Sequence, residues 1–420
     1  MGEVYSLKIT VLIGNGLDVS LGIKSSYGDF YKWYCNQKSK VAHIQKFRDD
    51  IKEDISRDVP DDEKTWSDFE LGLGKYTEEF SVDNVSDFVD CLEDAQSSIR
   101  DYLHAEQNKF VVGDFTDESV SAFRLNLAKF FAELPEIERD AVQSSLNGAR
   151  QENKEIQFIT FNYTDSIERI LENLPNDLFA TWNYGSSVYG YKINKTVHHV
   201  HGTVNEFPVL GVNDESQIAN KQLLDVEQFK DFMIKADNIT ALGLRWHSVA
   251  ENHISQSRVV CVFGMSMGAS DAKWWKKLAF WMLPNPERHL VLYWYMKDPP
   301  NRIQSIKQLK VVNMVKDQFL RYADNMSVSD KQKIKARIHV VINTKQFLTL
   351  ERKPKKGNVL SPVGVSSQLS IPEPVELLAP DDSIVGKYDE IHRTLEKIFD
   401  TGEQGLIDAY NRDLEMETIM

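Results

Sequence analysis

The 420-residue sequence predicts an α/β fold built on a parallel sheet, and three observations predict it. Apolar, β-branched runs of strand length recur along the chain. Segments with apolar residues at helical spacing alternate with them, and four of the runs end in a small polar or glycine turn. A β-then-α rhythm implies right-handed crossovers, and hence strands that run parallel. With 42% hydrophobic residues the chain is long enough for one large domain or two ordinary ones, each with a substantial core.

The first strand is expected at residues 7–13, a compact apolar run closed by glycines and feeding a helix. From Tyr27 to about Asn153 aromatic, charged and helix-forming residues dominate, with Phe88, Leu92, Ala95 and Ile99 at helical spacing. Neighbouring strands rarely need about 130 residues to find one another, so a large helical insertion is expected at about 32–153. Strands are then expected at 156–161, in the histidine-rich run 197–202, at 208–212, 258–263, 289–295 and 338–342. A helical stretch is expected over 225–252, and a helix through Trp274 and Trp275. After Leu350 the composition turns to Lys, Pro, Ser and Gly, as in a linker, followed by one amphipathic helix at 388–399 carrying Ile391, Leu395 and Ile398.

Charge and cysteine usage narrow the function. A net charge of -14 (49 basic against 63 acidic residues) opposes an extended phosphate-backbone footprint. Cys35, Cys91 and Cys261 are widely spaced, without a Cys-x-x-Cys pair, which removes a disulfide framework and a thiolate zinc cage and fits a reducing cytoplasm. The amino terminus has no basic region followed by an apolar run, and no apolar stretch reaches the ~18 residues of a membrane span, so a cytoplasmic protein without a membrane partner is expected.

Function is legible in four strand-end segments: Val11 to Asp18, Phe158 to Asp165, Val197 to Gly202 and Val260 to Ser266. In an open parallel sheet, ligands sit beyond the carboxyl ends of the strands, so the four are expected around one pocket. Gly14-x-Gly16 lets backbone N–H groups approach a phosphate. The sixth position of a dehydrogenase fingerprint is Val19 here, and no ribose-binding acid follows nearby, which disfavours hydride transfer. Asn162 shares a strand face with Ile156, Phe158 and Thr160 and needs hydrogen-bond partners if buried. His199 and His201 fall on one strand face and His198 on the other. A metal pair at His199 and His201 lacks nearby Asp, Glu or Cys ligands, so His201 is read as a single base and no metal is expected. Gly264-x-Ser266-x-Gly268 has the form of a serine-hydrolase elbow, with Asp298 and His339 as candidate triad members. Trp66, Asp68 and Glu70 could close over the pocket as a lid, but a solvated helix start with a packed Trp is the preferred reading, and Trp274, Trp275, Trp281 and Trp294 read as core or interface.

At these residues the chain resembles the bacteriophage abortive-infection AbiH family. The resemblance rests on Ile13-Gly14-Asn15-Gly16-Leu17-Asp18 continued through Gly22 to Phe30, and on Trp66-Ser67-Asp68-Phe69-Glu70. It continues through Thr160-Phe161-Asn162-Tyr163-Thr164-Asp165, His199-Val200-His201-Gly202 and Gly264 to Asp271. More distantly, the order of elements is similar to SIR2-like NAD-consuming domains. That resemblance implies a Rossmann-like (SIR2-like) parallel sheet with a large helical insertion, in a domain over 1–345; the tail carries no part of it, and its composition gives a linker at 346–386 and a helical appendage at 387–420. It implies NAD as a substrate, with Asn162 orienting the reacting ribose or water and His201 as the base. The cofactor is expected at Gly14, Gly16, Gly264 and Ser266, with Asn15, Asp18, Thr160, Asp165, Gly202 and Asp271 in the same turns. Asn15 stands where alanine is usual and zinc cysteines are lacking, which speaks against the protein-deacetylase branch. The expected function is antiphage defence by cleavage of the nicotinamide–ribose bond, the alternatives being a serine hydrolase or a non-catalytic nucleotide sensor acting through a protein partner. An enzyme of this kind needs a gate, so a phage-derived trigger or self-assembly through the insertion is expected.

Overall fold

The computed structural model describes residues 7–60, 63–147, 154–174, 179–184, 187–301 and 303–354. The chain divides into two compact units, Met1–Lys355 and Lys356–Met420. The second unit, including the helix expected at 388–399, lies outside the described residues.

Seven strands form one sheet: β1 (Leu7–Ile13), β2 (Lys154–Thr160), β3 (Phe179–Tyr184), β4 (Ser187–His199), β5 (Ser257–Phe263), β6 (His289–Trp294) and β7 (Ile338–Ile342). Their order across the sheet is β3-β4-β2-β1-β5-β6-β7, with β3 antiparallel to β4 and every other pair parallel. Counted along the chain, the six parallel strands stand in the order 3-2-1-4-5-6, so the winding direction reverses between β1 and β5. A reversal leaves a crevice at the carboxyl ends of the two strands beside it. β1, β2 and β5 are each buried at every position but one, which is why they read as continuous apolar runs and not as alternating ones.

Fourteen α-helices accompany these strands in the described residues. Seven lie between β1 and β2: α1 (Gly16–Ser20), α2 (Tyr27–Tyr34), α3 (Ala42–Ser56), α4 (Phe69–Tyr76), α5 (Val85–Gln107), α6 (Asp117–Ala128) and α7 (Glu136–Leu146). The others are α8 (Ser166–Glu172), α9 (Phe229–Met233), α10 (Lys235–Ala241), α11 (Trp246–Ser255), α12 (Ala272–Met282), α13 (Ser305–Arg321) and α14 (Val328–Lys335). Three cores result. On one sheet face Val11, Phe158 and Cys261 pack with Phe123 and Leu127 of α6, Val142 of α7 and Ile167 of α8. On the other, Leu12, Ile159 and Val260 pack with Ile254 of α11, Trp274, Trp275 and Leu278 of α12 and Phe319 of α13. The third core is a cap: Phe30, Phe47, Phe69, Phe88 and Ile99 of α2 to α5 close on Val204, Leu210, Leu223 and Met233.

The insertion expected at 32–153 is therefore two structures. α2 to α5 build the cap, whereas α6 and α7 are ordinary face helices of the sheet. Four further expectations change. The histidine strand begins at Ser187, as the second arm of a hairpin with β3 that the composition did not signal, and it ends at His199. Residues 208–212 form isolated bridges, Gly202 to Pro208 and Val212 to Ile234, and not a strand. The stretch 225–252 breaks into α9, α10 and α11, with Gln228 at φ 64° and Gly243 at φ 70° outside helical geometry. The start of the expected linker at 346–386 is packed, because Phe347 stacks on Tyr293 at 4.3 Å and Leu348 is buried.

The turns that follow β1 and β5 touch backbone to backbone. Gly14 N–H donates to the Phe263 carbonyl at 2.9 Å, and Gly16 N–H to the Gly264 carbonyl at 2.8 Å. A Cβ on Gly16 would lie 2.5 Å from Gly264 Cα, and Gly264 itself has φ +71°. Gly16→Ala is expected to destabilise the protein by about 1–3 kcal/mol, as overpacking of a rigid contact does, read as a lower urea midpoint with unchanged slope.

Candidate functional site

A cleft of about 410 Å³ lies between the reversal point of the sheet and the cap, and all four strand-end segments reach it. Gly14, Asn15, Gly16 and Asp18 come from the end of β1, Asn162 from beyond β2, His201 from beyond β4, and Gly264, Ser266 and Asp271 from beyond β5. Thr160, Asp165 and Gly202 do not line it. Thr160 stands behind Asn162 and accepts its backbone N–H at 3.1 Å. Asp165 pairs with Arg169 at 2.6 Å. Gly202, at φ +78°, turns the chain against Phe207 and Trp246. These three support the wall and were misplaced in it because residue spacing alone does not separate lining from backing.

Asp18 is 1% exposed and accepts the hydroxyls of Thr164 and Ser166, each at 2.6 Å. Burial raises its pKa, and those two hydrogen bonds hold the rise in check. Asn15 sits at the rim, where its Nδ2 donates to the Ser25 carbonyl at 3.3 Å. Gly14 and Gly16 spend their N–H groups on β5, so the expected role of these two amides as a phosphate cradle gives way to close packing of two turns.

β2 ends at Thr160, so Asn162 lies past the strand and not on its face. His199 fixes it there: Nδ1–H donates to the Asn162 carbonyl at 2.9 Å, and Nε2–H to Glu168 Oε1 at 2.5 Å. With Glu168 ionised both ring nitrogens donate, which is the imidazolium form. Burial lowers the pKa of His199, but the Glu168 carboxylate outweighs it and the net shift is upward. The Asn162 Nδ2 is buried outside hydrogen-bonding geometry to any protein acceptor, yet near enough to Asp18 to favour that carboxylate.

His199 and His201 do not share a face, because the chain bends away after β4. His199 turns to α8, whereas the His201 ring lies 5.6 Å from that of Phe161 and 5.9 Å from that of His247 at the start of α11. His198 is spent on the Trp246 carbonyl at 2.6 Å. His201 is 5% exposed and its Nε2 has no hydrogen-bond partner among the described residues. Burial, with Lys235, His247 and Lys273 nearby, holds its pKa well below the usual histidine value, so the ring is neutral at pH 7.

The site also contains residues that composition disguised. Tyr27, Asp68, Glu70 and Tyr163 line the cleft, so Asp68 and Glu70 do not form a solvated helix start. Asp68 caps α4 by accepting the N–H groups of Glu70 and Leu71 at 3.1 and 3.2 Å. Glu70 is buried against Lys235 of α10 at 2.7 Å. Burial pushes the Glu70 carboxyl up to about 7 despite Lys235. Asp271 is pushed up by burial to about 6. The signal that could have exposed α4 is its pair of interior glycines, which are costly in a helix unless something packs on them. A Cβ on Gly72 would strike the Trp66 ring, and one on Gly74 the Gln217 carbonyl.

The serine triad is not assembled. Ser266 is exposed, Asp298 is exposed, and His339 is buried on β7 between Glu138 (3.0 Å) and His289 (2.9 Å). Among the described residues, one group of three His, Cys, Asp or Glu ligand atoms lies close enough for a metal ion: His43, Asp87 and Asp90 on the cap, away from the cleft.

The family model described as Bacteriophage abortive infection AbiH matches residues 10–294. The chain belongs to the AbiH family. The match takes in the cap, the cleft and the strands from β1 to β6, and it ties this AbiH chain to abortive infection of bacteriophage. The chain has no significant match among curated proteins. No helix among the described residues is long and apolar enough to cross a membrane.

Beside the first cleft this AbiH fold holds a second cavity of about 630 Å³, over the ends of β5, β6 and β7. The two share Gly16, Gly264, Met265 and Ser266. The second is lined mainly by apolar groups, among them Val19, Tyr293, Trp294 and Tyr295, so Trp294 belongs to a cavity wall and not only to the core. Asn343 fixes that wall by bonding both backbone groups of Met296, at 2.7 and 2.8 Å.

Because Asp271 has a raised pKa, the folded state holds its proton more tightly than the unfolded chain, and stability falls as pH rises from about 4 to about 6. Asp271→Asn is expected to flatten that slope, so urea midpoints measured at about pH 4 and about pH 7 differ less in the variant than in the parent protein.

Proposed function

We propose that this AbiH protein binds NAD across the β1–β5 reversal and hydrolyses its nicotinamide–ribose bond. The observation that carries the reading is the pair of cavities meeting at Gly16 and Gly264: a polar chamber with an amide and a neutral imidazole on one side, an apolar, aromatic groove on the other. A dinucleotide has that bipartite chemistry, and a crevice at a strand-order reversal is where doubly wound sheets take one. The strand order supports a Rossmann-like architecture, to which the SIR2-like reading adds the order of motifs.

In this reading the ribose joined to nicotinamide lies in the chamber. Water attacks its anomeric carbon, the carbon–nitrogen bond breaks, and its electron pair leaves with nicotinamide, which departs neutral without a general acid. Asn162 orients the water or a ribose hydroxyl, and His201 Nε2 accepts the proton. Acidic side chains around the ribose favour an oxocarbenium-like centre. Loss of the dinucleotide would arrest the infected host, and the cap, which supplies Asp68 and Glu70, is the surface through which a phage-derived trigger or a second copy would act.

Incubating purified protein with NAD should release free nicotinamide. Asn162→Ala and His201→Ala are each expected to lower that rate by ~10²–10⁴ with unchanged unfolding midpoints, whereas a fluorophosphonate should not label Ser266. Normal turnover in both Asn162 and His201 variants would overturn the assignment, and tight binding without any nicotinamide release would make the protein a sensor.

A further inference from the structure

The charge around the cleft is the opposite of what a phosphate asks for. Asp18, Asp68, Glu70 and Asp271 all line the chamber, and no Lys or Arg among the described residues does. Lys235 does not line the chamber and is paired with Glu70 at 2.7 Å. Asp18 is quenched by two hydroxyls, but Asp68 keeps one carboxylate oxygen outside its capping bonds, and Asp68 acts on both Glu70 and Asp271 as a like charge. Such a trio is relieved by a bound cation.

The size of that cation is also constrained. Among the described residues, no three His, Cys, Asp or Glu ligand atoms of the chamber lie within 4.8 Å of one another, so its acids do not close together on a single ion. They ring a space walled by the aromatic groups of Tyr27, Phe161 and Tyr163, whose faces attract flat organic cations. An independent observation points to a ligand in the same space: His201 Nε2 is buried there with its hydrogen-bonding capacity unmet.

Resting on the dinucleotide reading above, we propose that the chamber is a cation-selective subsite that takes the positively charged pyridinium of oxidised nicotinamide dinucleotide and discriminates against the neutral dihydropyridine form. Asp68, Glu70 and Asp271 supply the field and the aromatic walls supply the shape. The selection has a kinetic corollary. Cleavage moves positive charge from the ring to the ribose, and the departing nicotinamide is neutral, so the group that was held by charge is released once the bond is broken.

The test is a set of titrations with the full chain, using NAD⁺, NADH, 1-methylnicotinamide and nicotinamide, followed by calorimetry on a timescale shorter than turnover or in Asn162→Ala. NAD⁺ is expected to bind about ten-fold or more tightly than NADH, and 1-methylnicotinamide to bind where nicotinamide does not. Asp68→Asn combined with Asp271→Asn should erase both preferences, with thermal unfolding confirming that the variant is folded. Equal affinity for NAD⁺ and NADH in the parent protein would overturn the charge selection while leaving the dinucleotide reading intact. Binding of 1-methylnicotinamide without either dinucleotide would overturn the dinucleotide reading and leave the selection standing, and binding of none of the four would overturn both.

Discussion

Everything at the functional end of this molecule depends on one contact, the backbone approach of the turn after β1 to the turn after β5. Two hydrogen bonds and three glycines bring these turns to van der Waals distance at the point where the sheet reverses its winding. Because the turns are in contact, the crevice beyond them splits into two cavities with a shared wall, one under the cap and one over β6 and β7. A side chain at Gly16 would push the wall apart and merge or close them. The glycines thus act through what they exclude and not through what they donate, since the amides of Gly14 and Gly16 are already satisfied.

How much of this was readable in advance follows from range. Strand ends were legible because strands buried on both faces read as continuous apolar runs, and the polar residue that stops such a run is the one at the pocket: Asn15 after Ile13, Asn162 after Phe161, His201 after Val200. The hairpin of β3 and β4 was not, because β4 is thirteen residues long and only its last three carry the histidine signal. Asp68 and Glu70 read first as a solvated helix start, with a lid over the pocket only as the second reading, for a different reason. An acid in the first turn of a helix is ordinary, and what makes Glu70 a site residue is Lys235, 165 positions later, which no local pattern encodes. The faces of the histidines were misjudged because strand periodicity was carried two residues beyond the strand's end at His199.

The buried ionisable groups divide into those that hold the site and those that face it. His199 and Glu168 hold it: a carboxylate fixes an imidazolium, which fixes the Asn162 carbonyl, so the amide at the end of that chain is presented by a charged strut and not by a mobile loop. The Glu70–Lys235 pair joins α4 to α10 and so links the two chain segments that make the cap. Buried pairs of this kind contribute little net stability against an apolar replacement, because desolvation of both ions offsets their attraction. The pair is better understood as fixing where one carboxylate stands relative to the cleft.

That leaves two groups facing the same space whose environments drive them in opposite directions. His201 is pushed down by burial and by nearby cations, while Glu70 is pushed up to about 7 by burial against neighbouring acids. Two titratable groups separated in this way cannot exchange roles near neutral pH: the imidazole is the neutral acceptor, and the carboxyl is the group whose charge changes. A cation entering the chamber favours the ionised form of Glu70 and, as a like charge, opposes protonation of His201, so it drives the two groups further apart. The weak basicity of His201 comes from burial and from Lys235, His247 and Lys273, so the imidazole meets a ligand as a neutral hydrogen-bond acceptor.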